Sequence, residues 1–374
     1  MKREYQICSR CIMDTSDPEI VFDREGVCNH CSAALARMRT QLLPPAERER
    51  ALQALVESVK ADGKGKDYDC IIGISGGVDS TMVAYTVKKL GLRPLAVHFD
   101  NGWNTELAVD NIKKTLETLK IDLHTCVVDW EEFRDIQLSF LHSSVANCEI
   151  PTDHGIFALL WRTAHEHGLR FILTGSNIAT EAIMPYSWAH YHQDLRQLKA
   201  IHKRYGRVPL RTLPTMGIPH YLYYVFAKGI RQIPLLNYID YSRDGAKRLL
   251  EKEIGWRDYG YKHYESVWTR FFQGYYLPAK FGFDKRRAHL STLICSGQMT
   301  RAEALSQMEK SVYDEALLRQ DLQFVLKKFK LTQDEFDAII KAPPREARDF
   351  PSHHFLFHRL KRWKNVFRKI ATSP

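Results

Sequence analysis

The run CIIGISGGVDSTMVAY, residues 70–85, constrains this chain more than any other stretch. An apolar, strand-like segment meets two glycines and passes without a spacer into a helical pattern. In SGGVDS the glycines permit positive φ and turn backbone N–H groups inward, and the next helix adds the positive end of its dipole. The set Ser75, Gly76, Gly77, Val78, Asp79 and Ser80 therefore reads as a phosphate cradle. Asp79 and Ser80 fall in the helix's first turn, where a carboxylate can help hold Mg²⁺ and a hydroxyl can donate to phosphate. No Lys-Ser/Thr pair follows the glycines, so this is not a Walker A loop. A lone Gly-Gly after a strand often makes only a tight turn. Here the whole hexapeptide stands between a buried strand and a helix closed by Gly91, which favours phosphate.

From Tyr68 the chain alternates strands and helices. Strand-like runs cover Cys70 to Ile74, Pro94 to Phe99, Leu123 to Val128 and Phe171 to Thr174, with helical patterns at Thr105 to Leu119 and Ile156 to His167. This predicts an α/β fold, a parallel sheet with helices on both faces and ligands at the carboxyl ends of the strands. Residues 1–45 form a Cys-rich unit, 46–240 the phosphate-binding domain and 241–374 a helical C-terminal region. In the last of these, SRDGAKRLLEKEIG ends at a capping glycine, Gly255.

Cys8, Cys11, Cys28 and Cys31 give C-x2-C-x16-C-x2-C. Two such knuckles bring four thiolates around one Zn²⁺, and a closed four-cysteine set is structural; an iron–sulfur cluster is the main competitor. His30, between the last pair, could replace one Cys, but reads first as a solvated neighbour. A zinc ribbon gripping nucleic acid would carry basic and aromatic residues among its cysteines, whereas DTSDPEIVFDREG is acidic. The remaining cysteines are scattered, and a polar start with no membrane-length apolar run predicts a cytoplasmic protein. The net charge of +10 asks for an anionic partner without saying which.

SGGVDS resembles the PP-loop of the ATP pyrophosphatases, which cleave ATP between the α- and β-phosphates and transfer AMP to a substrate oxygen. VHFDNG and TGSN agree with that family. The resemblance implies Asp100 beside adenine and ribose, and Gly175 and Ser176 against the nucleotide; Asp100 also suits a plain Asp-Asn-Gly turn. Together with the loop, CSRCIMDTSDPEIVFDREGVCNHC and the stretch from GWRDYGYKHYESVW to MTRAEAL resemble the N-acetyl sugar amidotransferases of bacterial surface-polysaccharide and nonulosonic-acid synthesis, such as that of lipopolysaccharide O-antigen. That resemblance implies an AMP-forming carbon–nitrogen ligase. The acetamido oxygen of a nucleotide sugar attacks ATP, and ammonia then replaces it to leave an acetamidino group.

Lys280, with Lys285, Arg286 and Arg287 nearby, is the candidate for neutralising phosphate. Asp153, before a helix pattern in PTDHG, is a candidate catalytic group or an N-cap. No cysteine stands on a G-x-C-x-G elbow, and the chain begins Met-Lys. A separate glutaminase subunit is therefore expected to supply ammonia, and the resemblance adds a cyclase-like companion. The alternative is a PP-loop tRNA-thiolating enzyme, for which Cys126 and Cys148 are the upstream candidates. No nucleic-acid partner is expected. In the tail, Leu356, Leu360, Trp363, Phe367 and Ile370 share one helical face amid Lys and Arg, suited to the protein body or to an anionic membrane surface.

Overall fold

The computed structural model describes residues 4–189, 191–260, 264–353 and 356. Most of the basic tail, including Leu360, Trp363, Phe367 and Ile370, lies outside them.

Strands β1 (Cys70–Gly73), β2 (Pro94–Asp100), β3 (Asp122–Val127), β4 (Phe171–Thr174) and β5 (Arg231–Pro234) form one sheet in the order β3-β2-β1-β4-β5, with every pair parallel. The helices of the N-terminal half are α1 (Asn29–Gln41), α2 (Pro45–Asp62), α3 (Val78–Lys89), α4 (Glu106–Leu119), α5 (Trp130–Ser143) and α6 (Ile150–Glu166). Then come α7 (Ile178–Glu181), α8 (Leu195–Tyr205), α9 (Ile218–Leu222) and α10 (Arg243–Ile254). The C-terminal part holds α11 (Val267–Phe271), α12 (Leu277–Phe281), α13 (Arg286–Cys295), α14 (Arg301–Glu309), α15 (Glu315–Phe329) and α16 (Gln333–Lys341).

Strand periodicity explains why both faces are covered. Side chains alternate sides along a strand, and a strand apolar throughout must be buried twice. Ile71, Leu95, Val97, Phe99 and Ile172 face one way, against Phe133 and Ile136 of α5 and Phe157 and Leu160 of α6. Cys70, Ile72, Ala96, Phe171 and Leu173 face the other, against Val59, Val83, Val87, Ile112 and Leu250. The C-terminal helices join the first of these cores through Trp268, Phe271, Phe272, Phe329 and Phe336. The alternation predicted from sequence is thus observed, with the helical C-terminal part packed over the sheet.

Two elements differ from expectation. β5 carries no strand signal in RQIP, since its inward residues are few and its last is Pro234; pairing with β4 makes it a strand. α6 starts at Ile150 rather than Ile156, with Pro151 in its first turn, where a missing N–H costs nothing. Asp153 is therefore not an N-cap but an acidic residue inside the first turn, and Glu149 occupies the cap position.

Candidate ATP-binding site

The loop rises from the carboxyl end of β1. Gly76 has φ +79°, and a Cβ there would stand 2.4 Å from the carbonyl oxygen of Ala108 on α4, so only glycine fits. Gly77 caps α3 with φ −75°, so a single positive φ makes the turn. Within the loop, Ser75 N–H donates to Ser80 Oγ (3.2 Å), Gly77 N–H to Ser75 Oγ (3.3 Å) and Ser80 Oγ to the Gly77 carbonyl (3.0 Å). Val78 N–H donates to the Tyr259 hydroxyl at 3.1 Å. The Gly76 carbonyl is held by Trp256 Nε1 at 3.0 Å.

The other predicted binding residues converge on the same edge to different degrees. A Cβ on Gly175 would lie 3.0 Å from the backbone of Asp79, so the TGSN turn abuts the first turn of α3. Ser176 Oγ pairs with Thr174 Oγ1 at 3.0 Å. Asp100 accepts from Gly102 N–H at 2.9 Å, the turn-forming role, while also lining a cavity of about 380 Å³ with His98, Asn104 and Lys113.

Four residues beside the loop went unpredicted. Tyr241 donates to the Asp79 carboxylate, and burial and that neighbouring charge push its hydroxyl pKa far up. Tyr259 is raised likewise, chiefly by burial. Glu265 Oε1 lies 3.0 Å from where a Cβ on Gly77 would stand, while its carbonyl accepts from Thr105 N–H at 2.9 Å. Arg243, at the start of α10, has Nε and Nη2 buried without a hydrogen-bond partner and acts electrostatically on both tyrosines. Leaving guanidinium donors unmade inside a protein is costly, and beside a phosphate-type loop such donors suit an anion.

The structure places Lys280 elsewhere. Its ammonium donates to the carbonyls of Ile339 and, at 2.8 Å, Ala342, the exposed ends of the α16 dipole; it is 9% exposed, and burial lowers its pKa. The neighbouring basic run is also spoken for. Arg286 pairs with Asp284 at 2.7 Å and Arg287 with Asp14 at 3.0 Å.

At the amino end of α6, Glu149 is 7% exposed and accepts from Thr269 Oγ1 at 3.0 Å. Burial above all, then the charge of Asp153, pushes its carboxyl up to about 8, against the pull of Thr269, Lys285 and Trp268. His154 next to Asp153 is fixed by backbone, Nδ1 donating to the His192 carbonyl (2.7 Å) and Nε2 accepting from Met216 N–H (3.2 Å), and burial lowers its pKa to about 4. It is a structural imidazole.

Cys8, Cys11, Cys28 and Cys31 are fully buried, with their sulfurs within 4.8 Å of one another. The Cys8–Cys31 and Cys11–Cys28 sulfur separations are 3.9 and 3.8 Å. Four thiolates at about 2.3 Å from one Zn²⁺ would stand roughly 3.8 Å apart, so the set fits zinc. Backbone N–H groups of Cys11, Met13, Cys28 and Cys31 point at these sulfurs at 3.2–3.4 Å. His30 turns away from the cluster to Asp17 at 2.6 Å, so it is neither a ligand nor a solvated neighbour. Cys295 of α13 brings a fifth sulfur, 3.8 Å from Cys31. Arg301 of α14 donates to the carbonyls of Cys8 and Cys11, which mounts the unit on the C-terminal helices.

A cavity of about 1370 Å³ lies apart from the loop and is lined by Tyr186, Trp188, Arg196, Phe283, Arg345 and Arg348 among others. Among the described residues no helix is long and apolar enough to cross a membrane.

Residues 69–154 match the family of the queuosine biosynthesis protein QueC, and residues 265–365 match the C-terminal domain of the family described as LPS biosynthesis protein WbpG-like. Residues 69–154, which hold the SGGVDS loop, therefore match a PP-loop ATP pyrophosphatase family. The chain also carries a WbpG-like C-terminal domain. No curated protein matches the chain. Among solved structures, an NH3-dependent NAD synthetase from Campylobacter jejuni is 12% identical, covering 80% of this chain and 98% of its own, at a TM-score of 0.30. An NMN synthetase from Francisella tularensis is 15% identical over 56% of this chain and 96% of its own, at 0.29. A protein described as a subunit of a tRNA methyltransferase from Methanocaldococcus jannaschii is 17% identical over 48% and 74%, at 0.28.

The buried Glu149 carboxyl gives the fold a pH signature. Its pKa is raised on folding from an ordinary 4.5 to about 8, so the folded state holds that proton more tightly and deprotonation favours unfolding. Stability due to this group is present below pH 4.5 and is lost as pH rises through 8. Glu149→Gln cannot ionise, so its melting temperature should gain on wild type between about pH 5 and pH 8 and then run parallel. A constant gap across that range would show that Glu149 does not titrate in this window.

Proposed function

We propose that this protein is an ATP-dependent, AMP-forming amidotransferase that converts the acetamido group of a nucleotide sugar into an acetamidino group during lipopolysaccharide or similar surface-glycan synthesis. One observation carries the reading: Glu265, the first residue of the WbpG-like match, overhangs the PP-loop, so the two matched regions build one site. An ATP-using loop is thereby joined to a domain named for lipopolysaccharide synthesis.

The chemistry follows from the amide's reluctance to react. Its carbonyl carbon is a poor electrophile and its oxygen a poor leaving group, so the oxygen attacks the α-phosphorus of ATP. Pyrophosphate departs toward the N–H groups of Gly76, Gly77 and Val78 and the positive end of α3, and Arg243 adds a guanidinium. Tyr259 must yield the Val78 N–H for this, while Tyr241 steadies Asp79. Ammonia then adds to the O-adenylyl imidate carbon, and AMP leaves. Asp79 and Glu265 are the two carboxylates suited to Mg²⁺, which would supply charge neutralisation on the phosphates. His98 and Asp100 would border the nucleoside and Gly175 and Ser176 the phosphates, while Asp153 stands at the same strand edge. Zn²⁺ among the four N-terminal cysteines would be structural. Ammonia is taken to come from a separate glutaminase with a cyclase-like companion, in the cytoplasm where ATP and nucleotide sugars are made. No role is assigned to a nucleic acid, and the basic tail is kept for the protein body or a membrane surface.

A thiolating role on tRNA would want a reactive thiolate. Burial instead raises the pKa of both Cys126 and Cys148, the second most strongly, which favours the inert thiol.

Two experiments test the reading. The purified protein, given ATP, Mg²⁺, an ammonium salt and a panel of acetamido nucleotide sugars, should release AMP and pyrophosphate with one sugar, whose carbonyl oxygen mass spectrometry finds replaced by NH. AMP release stimulated by bulk tRNA and by no sugar would overturn it. Arg243→Met should lower kcat/KM for ATP by about 10²-fold while leaving the melting temperature unchanged or higher, because an unpartnered guanidinium contributes no stability. A large drop in melting temperature with kcat/KM preserved would remove Arg243 from the phosphate site.

A further inference from the structure

Helix α13 meets the cysteine unit along one stripe. Arg287, Ser291 and Cys295 follow one another four residues apart, which sets them on one face of the helix. Arg287 pairs with Asp14 at 3.0 Å and donates to the Ile12 carbonyl at 2.9 Å. Ser291 Oγ accepts from Ile12 N–H at 3.2 Å. One turn further on, the same face brings Cys295 Sγ to 3.8 Å from Cys31 Sγ. That spacing matches the 3.9 and 3.8 Å between paired sulfurs inside the set. Five sulfurs therefore stand together where a tetrahedral metal takes four.

The four sulfurs of the set are not held alike. Cys8 Sγ accepts from the N–H groups of Cys11 and Cys28, Cys11 Sγ from Met13 N–H, and Cys28 Sγ from Cys31 N–H. Such bonds orient a ligating sulfur and spread its charge. Among the described residues no backbone N–H reaches Cys31 Sγ, and the group that donates to it is the Cys295 thiol. Cys31 is thus the ligand least fixed by its own backbone. Cys295 is also only partly buried, whereas the other four have no exposed surface.

We propose that Cys295 is a reserve ligand of the zinc site, taking the place of Cys31 on the metal when Cys31 detaches. The inference rests on zinc filling the four-cysteine set and is independent of the amidotransferase reading. A closed four-sulfur shell admits a fifth sulfur only by exchange. The exchange balances with no redox change: the zinc–sulfur bond of Cys31 breaks, that of Cys295 forms, and the Cys295 thiol proton passes to the Cys31 sulfur along the contact that already joins them. Cys295 is the last residue of α13, and a step between staggered rotamers moves its sulfur while Arg287 and Ser291 keep the helix in register. With Cys295 bound, the metal joins Cys8, Cys11 and Cys28 of the N-terminal unit directly to a helix of the WbpG-like region. The two ends of the chain are then tied by coordination as well as by hydrogen bonds.

The test counts thiolates on the metal in the full-length protein. Cobalt(II) enters tetrahedral thiolate sites, and its sulfur-to-metal charge-transfer band grows with each thiolate bound. Wild type should give the band of four thiolates. Cys31→Ser should give the same band, with Cys295 in place of Cys31, and the Cys31→Ser, Cys295→Ser double variant should lose one thiolate's share of it. A three-thiolate band in Cys31→Ser, equal to that of the double variant, overturns the inference. Where Cys31→Ser does not fold, Cys295→Ser decides. It keeps the size of the side chain and a donor for Cys31 and gives up only the ligating sulfur. Loaded with zinc to the wild-type content, it should pass the metal to an excess of chelator several-fold faster than wild type, because nothing catches the site when Cys31 detaches. Equal release rates overturn the inference. If wild type binds neither zinc nor cobalt, the metal site itself fails and this inference with it, while the amidotransferase reading stands or falls by its own assays.

Discussion

The site depends on one close approach. At Gly76 the backbone passes so near the Ala108 carbonyl of α4 that no side chain fits, and Gly175 draws the end of β4 against the first turn of α3 in the same manner. These two contacts fix the loop between three neighbours, β1, α3 and α4, and set the TGSN turn beside it. The loop itself would meet a phosphate through backbone N–H groups and a helix end, with the Arg243 guanidinium beside them. The cradle's geometry is therefore set by main-chain packing, and binding does not have to order long side chains.

The C-terminal part completes that cradle. Trp256 grips the Gly76 carbonyl, Tyr259 meets the Val78 N–H, and Glu265 and Val267 are tied by backbone hydrogen bonds to Thr105 and Trp103 after β2. Its remaining helices are anchored on one side by the aromatic core around Trp268 and Phe329 and on the other by the cysteine unit. Zinc at Cys8, Cys11, Cys28 and Cys31 would thus stiffen the unit that packs on α13 and α14, two helices of the WbpG-like region itself.

What was legible in the sequence was what local physics writes there. Alternating apolar runs announced four of the five strands, the glycine turn announced the loop, and paired Cys-x2-Cys spacings announced the sulfur cluster. The partners that converge on the loop from far along the chain left no such trace. Arg243 looks like any helix-start arginine, and Tyr241, Tyr259 and Glu265 stand in ordinary context; only the fold brings them to Asp79 and Gly77. Lys280 failed for the converse reason. Its basic neighbourhood suggested phosphate, but α16 ends nearby, and a helix's terminal carbonyls claim the nearest ammonium. The cap reading of Asp153, set beside a catalytic one, rested on a helix pattern visible only from Ile156; α6 starts earlier because proline suits a first turn and Gly155 lets the helix pack on the Phe99 ring.

The central claim is that the acetamido oxygen itself attacks ATP. It is tested most directly by supplying the acceptor sugar with ¹⁸O in its acetamido carbonyl, together with ATP and ammonium, and locating the label by mass spectrometry of the products. The account predicts one ¹⁸O in the phosphate of AMP and none in pyrophosphate or in the sugar product. Label appearing in inorganic phosphate beside ADP, or retained by the sugar while AMP forms unlabelled, would contradict it.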